Sequence, residues 1–197
     1  MKIALVTDTH FGARNDHDHF NNYFYEFYDN IFFPYLKEHN IDTCIHLGDV
    51  MDRRKFVSYK TAKDFREKFC ETFVTNDINV HMIVGNHDTY FKNTNDVNSL
   101  DELIGSRYEN IKIYREPETV DFDIPICFIP WINSTNEKQT IEHISKTNAT
   151  VAMGHLEIKG FEMHKGHMNE HGLDREQFKR FEKVMSGHFH KLSLIHI

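Results

Sequence analysis

At 197 residues, 40% apolar and 27% charged, the chain has the size and composition of one globular domain, which excludes a disordered or low-complexity segment. A formal charge of −7 argues mildly against a free-standing nucleic-acid binder, although two divalent cations would add about four positive charges where a phosphate sits. Three widely spaced cysteines (Cys44, Cys70, Cys127) exclude a disulfide framework and point to a reducing cytosol, and no apolar run is long enough for a signal peptide or a membrane span.

In chain order, residues 2–7 form a short apolar run that stops at Asp8, a buried strand running into a loop. Residues 19–39 carry Phe20, Tyr23, Phe24, Phe27, Tyr28 and Ile31 near helical spacing. They predict an amphipathic helix with this face turned to the core rather than outward as an aromatic platform. The run 42–47 repeats the strand pattern and ends at Gly48-Asp49. Residues 59–75, with Phe65, Phe69 and Phe73 at four-residue steps, predict a second helix, and 79–84 a strand ending at Gly85-Asn86. A helix is expected over 97–104, strands over 111–114, 119–123 and 125–129, and a helix over 134–147 capped by Asn133 or Ser134. Runs 149–153 and 183–186 are strands ending at Gly154-His155 and Gly187-His188, with a helix over 174–182 between them. Strands alternating with helices predict an α/β class with a largely parallel sheet, where sites collect at the carboxyl ends of strands.

Those strand ends carry the chemistry. Asp8 and His10, two apart, can turn to one ion. Gly48 permits a sharp exit that projects Asp49, the candidate to bridge two cations, while Asp52 is read as orienting the loop. Asn86 offers a neutral amide oxygen, His87 points at the substrate, and Asp88 is expected to orient the His87 ring. His188 and His190, two apart in an extended chain, fall on one side and can serve one metal each. With His155 they complete a metal set of Asp8, His10, Asp49, Asn86, His155, His188 and His190. Oxygen plus imidazole without thiolate suits manganese, with iron, zinc or magnesium as alternatives. Two such ions, about 3.5–4 Å apart, would clamp a phosphate and hold a bridging hydroxide for in-line attack, with protonated His87 stabilising the phosphorane-like state or donating a proton to the leaving oxygen.

Arg14, Arg53 and Arg54 are candidate substrate contacts, the last two in a basic cluster with Lys55, Lys60 and Lys63 that reads equally as a solvated helix start. Asp16-His17-Asp18-His19 is read as a surface loop and His46 as a packed strand residue. His164, His167 and His171 are not read as ligands.

The ordered motifs Asp-x-His, Gly-Asp-x-x-Asp, Gly-Asn-His-Asp, Gly-His and Gly-His-x-His, from residue 8 to residue 190, resemble those of calcineurin-like metallophosphoesterases. The resemblance implies a β-sandwich flanked by helices, four layers in the order αββα. It implies one metal at Asp8, His10, Asp49 and His190, a second at Asp49, Asn86, His155 and His188, and His87 as the catalytic histidine. Asp8-Thr-His-Phe-Gly12 and Gly160-Phe-Glu-Met-His-Lys-Gly166 look more narrowly like the SbcD-type double-strand-break repair nucleases, those of tailed phages included. That branch implies a manganese-dependent DNA exonuclease and endonuclease of recombination, a homodimer, an SbcC-type ATPase partner and a cytoplasmic location, the host's if phage-encoded. Helices 59–75 and 97–104 are then candidates for the dimer interface.

The chain departs from that branch at Asp52, where many relatives carry a second active-site histidine. It also ends seven residues after His190, so residues 1–197 are read as the nuclease domain alone, without capping domain or ATPase-binding tail. Residues 192–197 read as a last strand or as the end of a truncated gene. The alternative function is a small-substrate phosphodiesterase or nucleotidase. A protein phosphatase is disfavoured because those enzymes carry Glu where this chain has Asp88. A metal-free scaffold is disfavoured because every ligand type is retained.

Overall fold

The computed structural model describes residues 1–164 and 166–190. Strands β1 (Ala4–Val6), β2 (Thr43–His46), β3 (Asn79–Ile83) and β4 (Ile111–Tyr114) form an all-parallel sheet in that order. A second sheet is built from β5 (Glu118–Asp121), β6 (Pro125–Ile129), β7 (Val151–His155) and β10 (Lys183–Gly187) in the order β10-β7-β6-β5. Here β6, β7 and β10 run parallel, and β5 is antiparallel to β6. A small pair, β8 (Glu162–His164) with β9 (His167–Met168), stands apart. Strand–helix alternation alone predicts largely parallel pairing and the family resemblance predicts the sandwich, and both hold; alternation does not give the division into two sheets, because a run buried on both faces does not reveal which neighbour covers it.

Alternation along the strands shows the layering. Ile45 and Ile83 of the first sheet meet Ile126, Phe128, Val151 and Met153 of the second in one apolar layer. Their neighbours Cys44 and Met82 point the other way, under the first helices, and Cys127, Ile129 and Ala152 point to the opposite outer face with Ile144 and Phe178. A two-residue side-chain period thus sends alternate residues of each strand into different layers. The result is the four-layer sandwich, helix–sheet–sheet–helix, of the metallophosphoesterase fold.

The first helix, α1, runs over residues 18–38, with a wider π turn at Tyr28–Phe32, and the second, α2, over 59–75, with another at Phe65–Cys70. In α2, Phe65, Phe69 and Phe73 are fully buried, each contributing on the order of 2 kcal/mol of apolar burial. The expected core face of α1 is corrected. Tyr25, Tyr28, Phe33 and Leu36 enter the core, whereas Phe20, Tyr23, Phe27 and Ile31 are exposed. Aromatic residues lie on every side of this helix, and the π turn shifts the phase, so spacing alone selects a stripe of which only Tyr28 and the partly buried Phe24 pack against the core. In the segments 59–75 and 97–104, Phe65, Phe69, Phe73, Leu100 and Ile104 are buried in the core, whereas Tyr59, Val74 and Val97 are exposed. Helix α3 covers Ser99–Leu103 and α4 Glu137–Lys146; within 174–182 only a 3-10 turn at Arg175–Phe178 forms. No helix among the described residues is long and apolar enough to cross a membrane. The strand expected at 192–197 lies outside the described residues.

Candidate metal centre

Because the strands of both sheets around the core run in parallel, their carboxyl ends open on one side. Asp8 and His10 leave β1, Asp49 leaves β2, Asn86 and His87 leave β3, His155 closes β7, and His188 and His190 leave β10. Two glycines make the approach possible. A side chain at Gly48, whose φ is +95°, would strike the His155 ring, and one at Gly85 would overlap the Asp49 backbone nitrogen. Asp8, His10, Asp49 and His188 themselves hold positive φ (53°, 43°, 54° and 81°). For non-glycine residues this costs about 1–2 kcal/mol each, and such strain gathers at functional sites.

All seven predicted ligands converge. His10 Nε2 and His190 Nε2 face each other at 3.3 Å, and His190 Nε2 lies 3.2 Å from Asp8 Oδ1. Asp49 Oδ2 is 3.9 Å from His10 Nε2 on this side and 3.2 Å from His155 Nε2 on the other. His155 Nε2 and His188 Nδ1 both approach Asn86 Oδ1, at 2.9 and 3.0 Å. Two ligands held about 2.1 Å from one cation lie about 3.0 Å apart at right angles and about 3.4 Å apart tetrahedrally. The donor set fits divalent cations on that measure, and Asp49 Oδ2 is common to both halves. The second coordination layer is also built: His155 Nδ1 donates to the Leu47 carbonyl at 2.8 Å, which leaves its Nε2 to face Asp49 and Asn86. The N–H of His188 reaches both Asp8 oxygens at 3.3 Å, and that of His87 donates to Asp49 Oδ1 at 2.7 Å.

Electrostatics follow the same partition. Burial would push the Asp49 carboxyl up, but the hydrogen bond and charge of His155, with the His87 N–H, hold it well below the usual carboxylate range. Burial likewise works against a charged His155, and Asp49 more than offsets it, so that imidazole is raised. His188 is pushed down to about 4, first by burial and then by His155, and burial also lowers His10. A cation would displace the proton shared across Asp49 and His155, since metal ligands bind deprotonated.

His87 and Asp88 part company. Asp88 is fully buried and accepts from the backbone N–H groups of Met51 (2.9 Å) and Gly85 (2.8 Å). It clamps two ligand loops and does not touch the His87 ring, correcting the orienting role expected for it. That role falls to the Asp52 backbone carbonyl, 2.5 Å from His87 Nδ1. The Asp52 carboxylate sits 3.6 Å from His10 Nδ1. An open cleft of about 710 Å³ is lined by Asp8, His10, Asp52, His87 and His190, with Arg14 and Phe20 at its edge.

Of the three candidate arginines, only Arg14 borders this cleft. Arg53 is paired with Asp16, and Arg54 donates to Thr89 Oγ1 at 3.1 Å. Asp16 is also more than a loop residue, since Ser58 and Thr61 donate to it as well. His46 is packed as expected, fully buried between Thr9 and the Gly48 N–H. His167 and His171 are exposed and do not line the cleft; the His164 side chain lies outside the described residues. One contributor escapes sequence reading. Trp131, held through its carbonyl by Asn95 and Asn136, packs its ring 5.3 Å from His188 and 6.2 Å from His155. Its only signal is its position just after β6.

A family model described as calcineurin-like phosphoesterase matches residues 1–192. Exonuclease subunit 1 of Enterobacteria phage T4 is 37% identical over 194 residues, covering 98% of this chain and 56% of that protein. The chain thus spans about half the length of this curated relative. Among solved structures, Pseudomonas putida nuclease MPE is similar at 20% identity and a TM-score of 0.45, covering 80% of this chain and 62% of that one. A novel archaeal phosphodiesterase is similar at 22% identity and a TM-score of 0.42, covering 85% and 81%.

Proposed function

The chain belongs to the calcineurin-like phosphoesterase family, and from that membership we propose that it is a metal-dependent DNA nuclease of recombination and double-strand-break processing. The observation that carries this reading is the convergence of carboxylates, one amide and four imidazoles from both sheets, with Asp49 shared between two halves. The likeness to an exonuclease subunit of phage T4 supports DNA as the polymer hydrolysed and supports action as the nuclease subunit of a larger assembly. Residues 1–197 constitute the nuclease domain, which works as a homodimer with an SbcC-type ATPase.

Asp8, His10, Asp49 and His190 hold one divalent ion, and Asp49, Asn86, His155 and His188 hold the other, manganese by preference. When bound, such a pair neutralises charge on the phosphate and acidifies water for attack on phosphorus. His87 acts as the imidazolium: its Nδ1–H stays committed to the Asp52 carbonyl, and the second proton, on Nε2, passes to the leaving oxygen and leaves the neutral ring. Asp88 acts through the loops it joins. Arg14, at the cleft edge, meets a neighbouring phosphate.

A second reading, hydrolysis of a small phosphodiester, is favoured by the chain's formal charge of −7. Incubation with manganese separates the two. Degradation of linear duplex DNA supports the nuclease reading. Turnover of bis-p-nitrophenyl phosphate with DNA left intact replaces it with the small-substrate reading.

A further inference from the structure

Two loops leave the cleft side by side. Residues 53–56 follow Asp52, residues 90–92 follow the turn that carries His87, and Arg54 joins them through Thr89. Three rings on these loops face solvent: Phe56 is 58% exposed, Tyr90 40% and Phe91 48%. They interleave with cations. Lys55 Nζ lies 5.2 Å from the centre of the Tyr90 ring, the Arg53 guanidinium lies 5.0 Å from that of Phe56, and Tyr90 meets Phe91 edge to face at 4.8 Å. Lys55 and Lys92 are exposed and form no ion pair among the described residues. Residues 53–63 hold five basic residues and no acidic one; Arg53, Lys60 and Lys63 pair with carboxylates from neighbouring segments, which leaves Arg54 and Lys55 without an ion pair among the described residues.

We infer that this ledge binds single-stranded DNA beside the cleft, an inference that rests on the nuclease reading. Bases stack on exposed ring faces while cations between the rings meet the phosphates, a pairing that suits a strand whose bases are free. Tyr90 stands three residues past His87 and Lys55 three past Asp52, so the ledge begins within about 11 Å of the cleft along either chain. The exposed aromatic stripe of α1 pairs one ring with a cation, Phe20 with Arg14 at 5.7 Å, but exposed Glu26 and Asp29 lie among its other rings and repel phosphate. A blunt duplex keeps its bases stacked on one another and offers the rings nothing.

The test is fluorescence anisotropy of a labelled oligothymidine strand with the full chain, in EDTA to prevent cleavage. Replacing Tyr90→Ala and Phe91→Ala together raises Kd for the strand by about tenfold or more. The pair Lys55→Gln and Lys92→Gln reduces the salt slope of binding by about 0.7 for each lost phosphate contact. Binding of blunt duplex is unchanged in the aromatic variant. Because these side chains are exposed, both variants retain the parent's melting temperature and its manganese-dependent turnover of bis-p-nitrophenyl phosphate. An unchanged Kd for the strand in the aromatic variant, with the small ester still hydrolysed, overturns the ledge and leaves the phosphoesterase reading intact. An equal loss for strand and duplex also overturns it, since stacking on free bases would then not be the source. Absence of ester and DNA hydrolysis in the parent protein counts against the nuclease reading, and the anisotropy result still decides the ledge.

Discussion

The Nδ1 atom of His87 lies 2.5 Å from the backbone carbonyl oxygen of Asp52. A carbonyl only accepts, so this contact places the proton on Nδ1 and leaves Nε2 toward the cleft. The contact uses the main chain, so the Asp52 side chain is dispensable for it. His87→Ala is expected to lower turnover by about 10²–10⁴-fold with metal still bound, the range for a lost general acid. Asp52→Ala at saturating manganese is expected to cost far less. Steady-state kinetics beside a metal titration check both; full activity in the His87 variant removes it from the chemistry.

Asp88 answers to a different measurement. Its two oxygens satisfy two buried N–H groups, from Met51 and Gly85. Asp88→Ala leaves both donors without partners, at about 1–3 kcal/mol each, and lowers the urea midpoint accordingly. Asp88→Asn keeps one acceptor and falls between. An alanine variant as stable as the parent would show that the loops are not clamped there.

Metal occupancy is expected to be visible as stability. A ligand bound to the folded chain at about a hundred times its Kd adds about 2.7 kcal/mol per site. Manganese should therefore raise the melting temperature and EDTA should reverse the rise. Calorimetry should count two ions in the parent and fewer in Asp49→Asn, the shared ligand. A parent that binds one ion at saturation contradicts the bridging assignment.

His81, on β3 and away from the centre, supplies a pH prediction. Burial first, and then the nearby Lys112, push its imidazole down to about 4, and it stays neutral against the Tyr114 hydroxyl at 2.7 Å. The unfolded chain binds that proton near its ordinary value, about 6.5. The folded value is depressed, so the contribution is full above about 6.5 and is lost as pH falls from there toward 4, by up to about 1.4 kcal/mol per pH unit. Urea unfolding of the parent and of His81→Gln between neutral and mildly acid pH should diverge in slope by this one group. Parallel curves would place the His81 pKa near its unfolded value.

The seven residues of the centre were legible because each lies at or just past the end of an apolar run, most of them beside a glycine, and parallel strands bring such ends together. The contacts that aim them were not. Leu47 and Asp52 act through carbonyls and Met51 and Gly85 through N–H groups, and every residue type carries those. Asp88 departs from expectation for that reason: its partners are main-chain N–H groups and not a side chain. The exposed stripe of α1 was misassigned because Tyr23, Phe24 and Tyr25 offer an aromatic to three faces in a row, and only the tertiary fold chooses among them.

The centre draws Asp8, His10, Asp49 and Asn86 from one sheet and His155, His188 and His190 from the other. The apolar layer around Ile45, Tyr114, Phe128 and Met153, with the cross-sheet hydrogen bonds from His155 Nδ1 to the Leu47 carbonyl and from the Trp131 N–H to the Val84 carbonyl, sets how far one sheet slides over its neighbour. A packing defect in that layer would displace three imidazoles as a block relative to the carboxylates while altering no ligand. Variation that looks conservative, deep in the sandwich, can therefore act as tuning of the chemistry at its mouth.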